Sequence, residues 1–483
     1  MQTENNRVIL SSSQKALKVN LDPDLYGTFA EIGAGQEVVR HFFRVGGASG
    51  TIAKAMSAYD KDFSDAIYGK EDKNRYVCES RLRKMVSHEY GLITERLNRE
   101  KHPTKKFFTF ANTVTTIDYA KLNQGHGWLG MRFQRHINEA PSDVILHVRL
   151  LDNEASVQQE KLGDLGVNLI YGCFYLHDNP KELLKSLYDN LSRDHIEIDM
   201  INFEGPAFKK VDNRLMSLQL VRNNMTDAVM FGPDGNNLQA SDILYKKNIL
   251  AIRGSFRPVT NVHIDMVMNG YSKFISDSKV NQDNILVLFE ITLSNLKAEG
   301  EIDEQDFLDR ADILCSLGQT VLISNYSEYY KLINYFSQFT KNRMALIVGV
   351  NSLLEIFNEK YYRNLKGGML EAFGILYNND LKILLYPTYN EDNTEVLNSG
   401  NAPIHPRVRP LYDYMLFNRR ILDLNEFDPN VLAIQSKEVL RKIRDGEDGW
   451  EEMVPGYVDN IIKENHLFGY RSKTASKDLI GHG

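Results

Sequence analysis

Arg253 and Arg257 stand four residues apart in the Gly/Ser/Pro loop "RGSFRP", a pairing suited to gripping an anion. A guanidinium presents a rigid fork of N–H groups that matches phosphate or carboxylate through two hydrogen bonds. The loop follows the apolar run "NILAIRG" (248–254), and open α/β sheets bind ligands beyond the carboxyl ends of their strands. Other polar residues fall at the same expected place: Asn202 and Glu204 in "NFEGPAF", Asp234 in "FGPDG", Glu290 in "LFEIT", Ser324 and Asn325 in "ISNYS". Arg253, Arg257, Glu204, Asp234 and Asn202 are therefore the candidate ligand-binding set, with simple ion pairing at the surface as the competing reading.

A second candidate is the glycine corner of "GGASGTIAKAM" (46–56), where Gly46, Gly47, Ser49, Gly50 and Thr51 could cradle a phosphate. The apolar spacing after it predicts a helix, whose free N–H groups and positive dipole end would favour an anion. The P-loop lysine is missing, since Gly50 precedes Thr51 and Lys54 comes three residues later. The earlier corner Gly33-Ala34-Gly35 lacks the third glycine of a dinucleotide fingerprint. A tight turn between two helices is the alternative for the second corner.

A third set carries metal-ligand chemistry. Alternation in "HIEIDMINF" (195–203) puts His195 and Glu197 on one strand face, and "VHIDMV" reads as a strand with His263 and Asp265 sharing a face. Carboxylates and imidazoles inside a sheet need partners or a metal. No HExxH spacing accompanies them, and a strand with one wet face is the other reading.

These residues need elements to hold them. From residue 141 onward apolar runs alternate with helical patterns, which predicts βα units and largely parallel sheets. The runs include "DVILHVRLL" (143–151), "GVNLIYGCFY" (166–175), "DAVMFG" (227–232), "NILVLFEIT" (284–292), "QTVLISN" (319–325), "RMALIVGV" (343–350) and "LKILLYP" (381–387). Asp178 or Asn179 before Pro180, and Asp303 before "EQDFLDRADILCSLG", read as helix N-caps. The expectation is an α/β protein: an α-rich N-terminal module (1–140), two Rossmann-like domains (141–280 and 281–470) and a flexible tail (471–483). A single distorted barrel is the alternative to two open sheets.

Composition narrows the class. The 483 residues are 42% hydrophobic and 25% charged, an ordinary globular mixture, and too many for one core. The net charge of −7 is spread without a basic stripe, which argues against a nucleic-acid partner. Cys78, Cys173 and Cys315 show no CxxC spacing, so a reducing compartment is expected. Neither a leader peptide nor a membrane-spanning run of roughly 20 apolar residues is visible, and a cytoplasmic location follows as an expectation.

The segments "YGTFAEIGAGQEVVRHFFRVGGASGTIAKAMSAYDKDFSDAIYG", "HVRLLDNEASVQQE" and "LISNYSEYY" resemble an uncharacterised family of long bacterial proteins of the Bacteroidetes type. Its members are often labelled nicotinate-nucleotide adenylyltransferase or TonB-dependent receptor. The first label implies nucleotidyl transfer, but its G-x-F-[DN]-P-x-H-x-x-H and I-S-[ST]-T-x-x-R motifs are not in this chain, so no catalytic residue is carried over. The expected function is binding of a nucleotide, with Mg2+, or of another small phosphorylated ligand, by a homo-oligomer. A non-catalytic self-assembling scaffold and a metal-dependent hydrolase using His195, Glu197, His263 and Asp265 are the alternatives.

Overall fold

The structure, a computed structural model, describes residues 7–71, 75–97, 100–297, 300–378, 380–390 and 392–471. The tail expected at 471–483 lies outside these residues apart from Arg471. The chain divides into two compact units, Met1–Val229 and Met230–Gly483, and both are α/β. No helix among the described residues is long and apolar enough to cross a membrane.

The first unit is built on six strands: β1 (Leu25–Gly33), β2 (Ile52–Ala58), β3 (Lys106–Thr115), β4 (Gly125–Phe133), β5 (Ser142–Leu150) and β6 (Ile196–Glu204), in the order β2-β1-β3-β4-β5-β6. β1 runs parallel to β2 and β3, whereas β3 to β6 pair antiparallel. Helix Glu79–Arg96 covers one face, packing Leu82, Met85 and Val86 against Ala111, Trp128 and Ile145. On the other face, Phe174 of helix Ala155–Tyr175 meets Phe108 and Phe133 edge-on, and Phe42 of helix Glu37–Arg44 packs on Phe29. Each such buried side chain contributes roughly 1.5–3 kcal/mol.

Two expectations are corrected here. Residues 1–140 are not an α-rich module, because four of the six strands lie in them. The run at 166–175 is not a strand but the end of helix Ala155–Tyr175, buried continuously from Leu165 to Cys173. Gly166 explains its depth: a Cβ there would strike Val38, so only glycine lets this helix approach helix Glu37–Arg44 so closely.

Among the described residues the second unit has ten strands: β7 (Ala228–Phe231), through which the division runs, β8 (Asn237–Leu238), β9 (Asn248–Arg253), β10 (Ile285–Thr292), β11 (Thr320–Ser324), β12 (Met344–Gly349), β13 (Lys382–Tyr386), β14 (Thr388–Tyr389), β15 (Val396–Leu397) and β16 (Ile421–Asp423). β14 and β15 form a separate antiparallel pair, and the others form one sheet in the order β16-β13-β12-β9-β10-β11-β7-β8. The ladder from β16 through β13, β12, β9 and β10 to β11 is parallel throughout. Counted from β9, these six strands stand in the order 3-2-1-4-5-6, that of the doubly wound dinucleotide-binding fold. The Val/Ile/Leu-rich strands are buried on both faces, as a parallel sheet between helices requires.

The caps fall where expected. The Asn179 side chain accepts from the Glu182 amide, and Asp303 from the amides of Gln305 and Asp306. The segment 260–283, which includes the "VHIDMV" read as a strand, contains instead a helix, Asn261–Ile275, joining β9 to β10.

Candidate functional site at the carboxyl ends of the parallel strands

After β11 the chain crosses to the far side of β9 and re-enters as β12, so the winding reverses between β9 and β12. Backbone loops leave in opposite directions at such a point and open a crevice. A cavity of about 380 Å³ lies there, lined by Arg253 from the end of β9, Thr292, Ser294 and Asn295 after β10, Ser327 to Tyr329 after β11, and Glu355, Ile356, Tyr361 and Tyr362 after β12.

Arg253 anchors its wall. Its Nε and Nη2 donate to the Glu290 carboxylate at 2.7 and 2.9 Å, its Nη1 donates to the Ser327 carbonyl at 2.9 Å, and its guanidinium lies 4.2 Å from the centre of the Tyr329 ring. Ser324 Oγ donates to the same carboxylate at 2.6 Å. Burial opposes the charge on Arg253, but the fields of Glu290 and Tyr329 overcome it and raise its pKa. Burial raises the Tyr329 phenol, keeping its hydroxyl protonated. The arginine is therefore a fixed cation whose charge is balanced from behind. Three of its five N–H groups are engaged in these bonds.

Arg257 does not share this site as a second jaw. It pairs with Asp306, which also pairs with Arg310, and Arg310 donates to the carbonyls of Ser255 (3.1 Å) and Asn295 (3.4 Å). These bonds brace the two loops on either side of the cavity. Asp234 is exposed in its own turn and accepts from the amide and side chain of Asn236 at 3.0 and 2.8 Å. Asn202 and Glu204 belong to β6 of the first unit, where Glu204 accepts from Arg83 at 2.7 and 3.1 Å. Of the five candidate ligand residues, Arg253 alone lines this cavity. Ser294, Asn295 and Tyr329 were within reach of the sequence, lying a few residues past apolar runs. Glu355 and Tyr361 follow β12 at distances that carry no signal.

The glycine corner is corrected as well. Ala48–Gly50 form one 3-10 turn and the chain continues into β2, not into a helix, so no helix dipole points at Ser49 or Gly50. Gly46 and Gly47 adopt φ of 82° and 76°, which lets the chain reverse. The Gly46 carbonyl accepts from Asn20 at 2.7 Å, and the buried Thr51 hydroxyl donates to the Asn20 carbonyl at 3.0 Å.

The metal set disperses. His195 hydrogen-bonds Asp152 at 2.9 Å, and Glu197 pairs with Arg149 at 3.1 Å and accepts from Thr226 at 2.7 Å. His263 and Asp265 lie two residues apart on a helix, which turns them to different sides, rather than on a strand. His263 caps that helix with Thr260, and burial lowers its pKa to about 4. Asp265 accepts from Tyr386 Oη at 2.5 Å and from the Asp428 amide at 3.1 Å. Among the described residues no three His, Cys, Asp or Glu side chains come together to hold a metal ion.

The fold and this cavity define a two-unit α/β protein whose second unit is doubly wound. No known family model and no curated protein sequence matches the chain. Solved structures similar to part of it include the competence/damage inducible protein CihA of Agrobacterium tumefaciens, with TM-score 0.25 and 13% identity over 34% of this chain and 96% of that one. A competence or damage-inducible protein of Enterobacter asburiae has TM-score 0.25 and 11% identity over 35% and 99%. A Competence-Damaged Protein (CinA) superfamily protein of Klebsiella pneumoniae has TM-score 0.26 and 8% identity over 33% and 93%.

Proposed function

We propose that the second unit binds a nucleotide or similar phosphorylated metabolite in the cavity beside β9. One observation carries this reading: the cavity opens at the carboxyl ends of β9 to β12, where the strand order reverses. Its chemistry is compatible. Tyr361 and Tyr362 offer apolar ring surface, the exposed Glu355 carboxylate can accept from sugar hydroxyls, and Ser294 and Asn295, beside the Arg253 cation, can donate to phosphate oxygens. Nucleotidyl transfer, implied by the family resemblance, would be the corresponding reaction.

Isothermal titration with ATP, NAD and nicotinate mononucleotide tests the reading. At least one should bind, and Glu355→Ala and Tyr361→Ala should each weaken it about tenfold, as loss of one hydrogen bond or one stacked ring does. The absence of heat with all three, or affinity undiminished from the parent in both variants, removes the proposal.

A further inference from the structure

The first unit carries a cavity of its own, of about 580 Å³, within the roughly 300–1,000 Å³ span of small-molecule sites. Four cations, Arg135, Lys181, Lys209 and Lys210, line it against two carboxylates, Asp178 and Asp212, in a chain whose net charge is −7. Both carboxylates are answered nearby: Arg214 donates to Asp212 at 2.7 Å, and Asp178 lies 3.4 Å from His177 Nε2. The cavity wall therefore carries more positive than negative charge.

Arg135 gives that excess a fixed point. It donates from Nη2 to Glu139 at 2.8 Å and lines the cavity, so an anion entering would meet a cation already held in place.

The walls are firm. Gly205, at φ 92°, turns the chain out of β6, the Ala207 amide donates to Ser142 Oγ at 2.9 Å, and the Phe208 ring packs on Phe203 and Phe133. This turn presents the exposed Lys209 and Lys210 on one side, while Pro180, Pro206 and the buried Met216 supply apolar wall.

We propose that this cavity is a binding site for a small phosphate monoester with an apolar body. Arg135, Lys209 and Lys210 receive the phosphate, and the body lies against Pro206 and Met216. The site is independent of the cavity beside β9 and stands whether or not that one binds a nucleotide.

Methyl-labelled methionine in the full-length protein provides the test, with the Met216 resonance assigned through Met216→Leu. Phenyl phosphate should shift this resonance saturably, and phenol at equal concentration should not. The double variant Lys209→Ala/Lys210→Ala, changing two exposed side chains, should weaken phenyl phosphate about tenfold or more. Glu355→Ala, in the other unit, should leave this titration unchanged. No shift at millimolar phenyl phosphate, an equal shift with phenol, or undiminished affinity in the double variant overturns the proposal.

Discussion

Glu31 shows how a single buried carboxyl can serve a backbone and still weaken the fold. It is 2% exposed, and its Oε1 accepts from the amides of Val38 and Val39 at 3.2 and 3.3 Å, the first turn of helix Glu37–Arg44, whose own N-cap Gln36 makes no side-chain cap. Burial raises its pKa to about 8 despite those two amides. The folded chain thus keeps a proton between about pH 4.5 and 8 that the unfolded chain releases, so stability falls as pH rises through that window. Glu31→Gln keeps the accepting oxygen and cannot ionise. Its stability relative to the parent should grow by roughly 3 kcal/mol between pH 5 and 8, measured by urea unfolding at each pH. A pH-independent difference would show that Glu31 is ionised in the fold. Arg253 poses the opposite case, a buried charge already answered. Arg253→Met should cost about 3–5 kcal/mol because Glu290 is left buried and unpaired, and Arg253→Met/Glu290→Gln should recover most of that loss. Failure of the double variant to recover would mean that the arginine acts through its contacts with Ser327 and Tyr329 instead.

Elements were legible in proportion to how simply their surroundings read. β9 to β13 are short Val/Ile/Leu runs alternating with helices, and that pattern survives without tertiary information. β1 and β3 were missed because their buried faces carry Glu31, Thr109, Asn112 and Thr113, which local pairing satisfies, as in the 3.0 Å contact between the Thr28 and Thr109 hydroxyls. The run at 166–175 failed for the converse reason: a helix packed on several sides has no polar face, and a continuous apolar run does not distinguish it from a buried strand. The same packing makes its glycine testable. Gly166→Ala should destabilise by about 1–3 kcal/mol through overlap with Val38, although alanine is the better helix former. Gly91, exposed in helix Glu79–Arg96 with nothing near its Cβ position, should gain about 0.5–1 kcal/mol as Gly91→Ala. Thermal unfolding that moved both variants the same way would show that propensity, not the helix contact, governs Gly166.

At the scale of the whole chain, the site followed from topology more than from motif. Arg253 could be placed at a strand end from sequence, but the reversal between β9 and β12 depends on strand order, which no local pattern encodes. The domain division was hidden for a related reason. Boundaries were placed near 140, where the βα alternation sets in, and near 280, whereas the division falls inside β7, next to residues engaged in the first unit. Thr226 donates to Glu197 and Asp227 pairs with Arg193 at 2.5 Å within the first unit, while Ala228 begins a strand of the second sheet. A cut between Asp227 and Ala228 therefore breaks no sheet, and each product keeps a core of ordinary domain size. Fragments 1–227 and 228–483 should each unfold cooperatively, and the nucleotide binding proposed for the second unit should, if present, remain with 228–483. A cut after residue 140 instead separates β4 from β5, exposing nine residues of β4 edge and one side of the cluster around Trp128 and Ile145. Fragment 1–140 should accordingly aggregate or melt without a transition. Circular dichroism and scanning calorimetry on the three fragments decide the matter: a cooperative 1–140, or a 228–483 with no transition, would place the folding unit elsewhere.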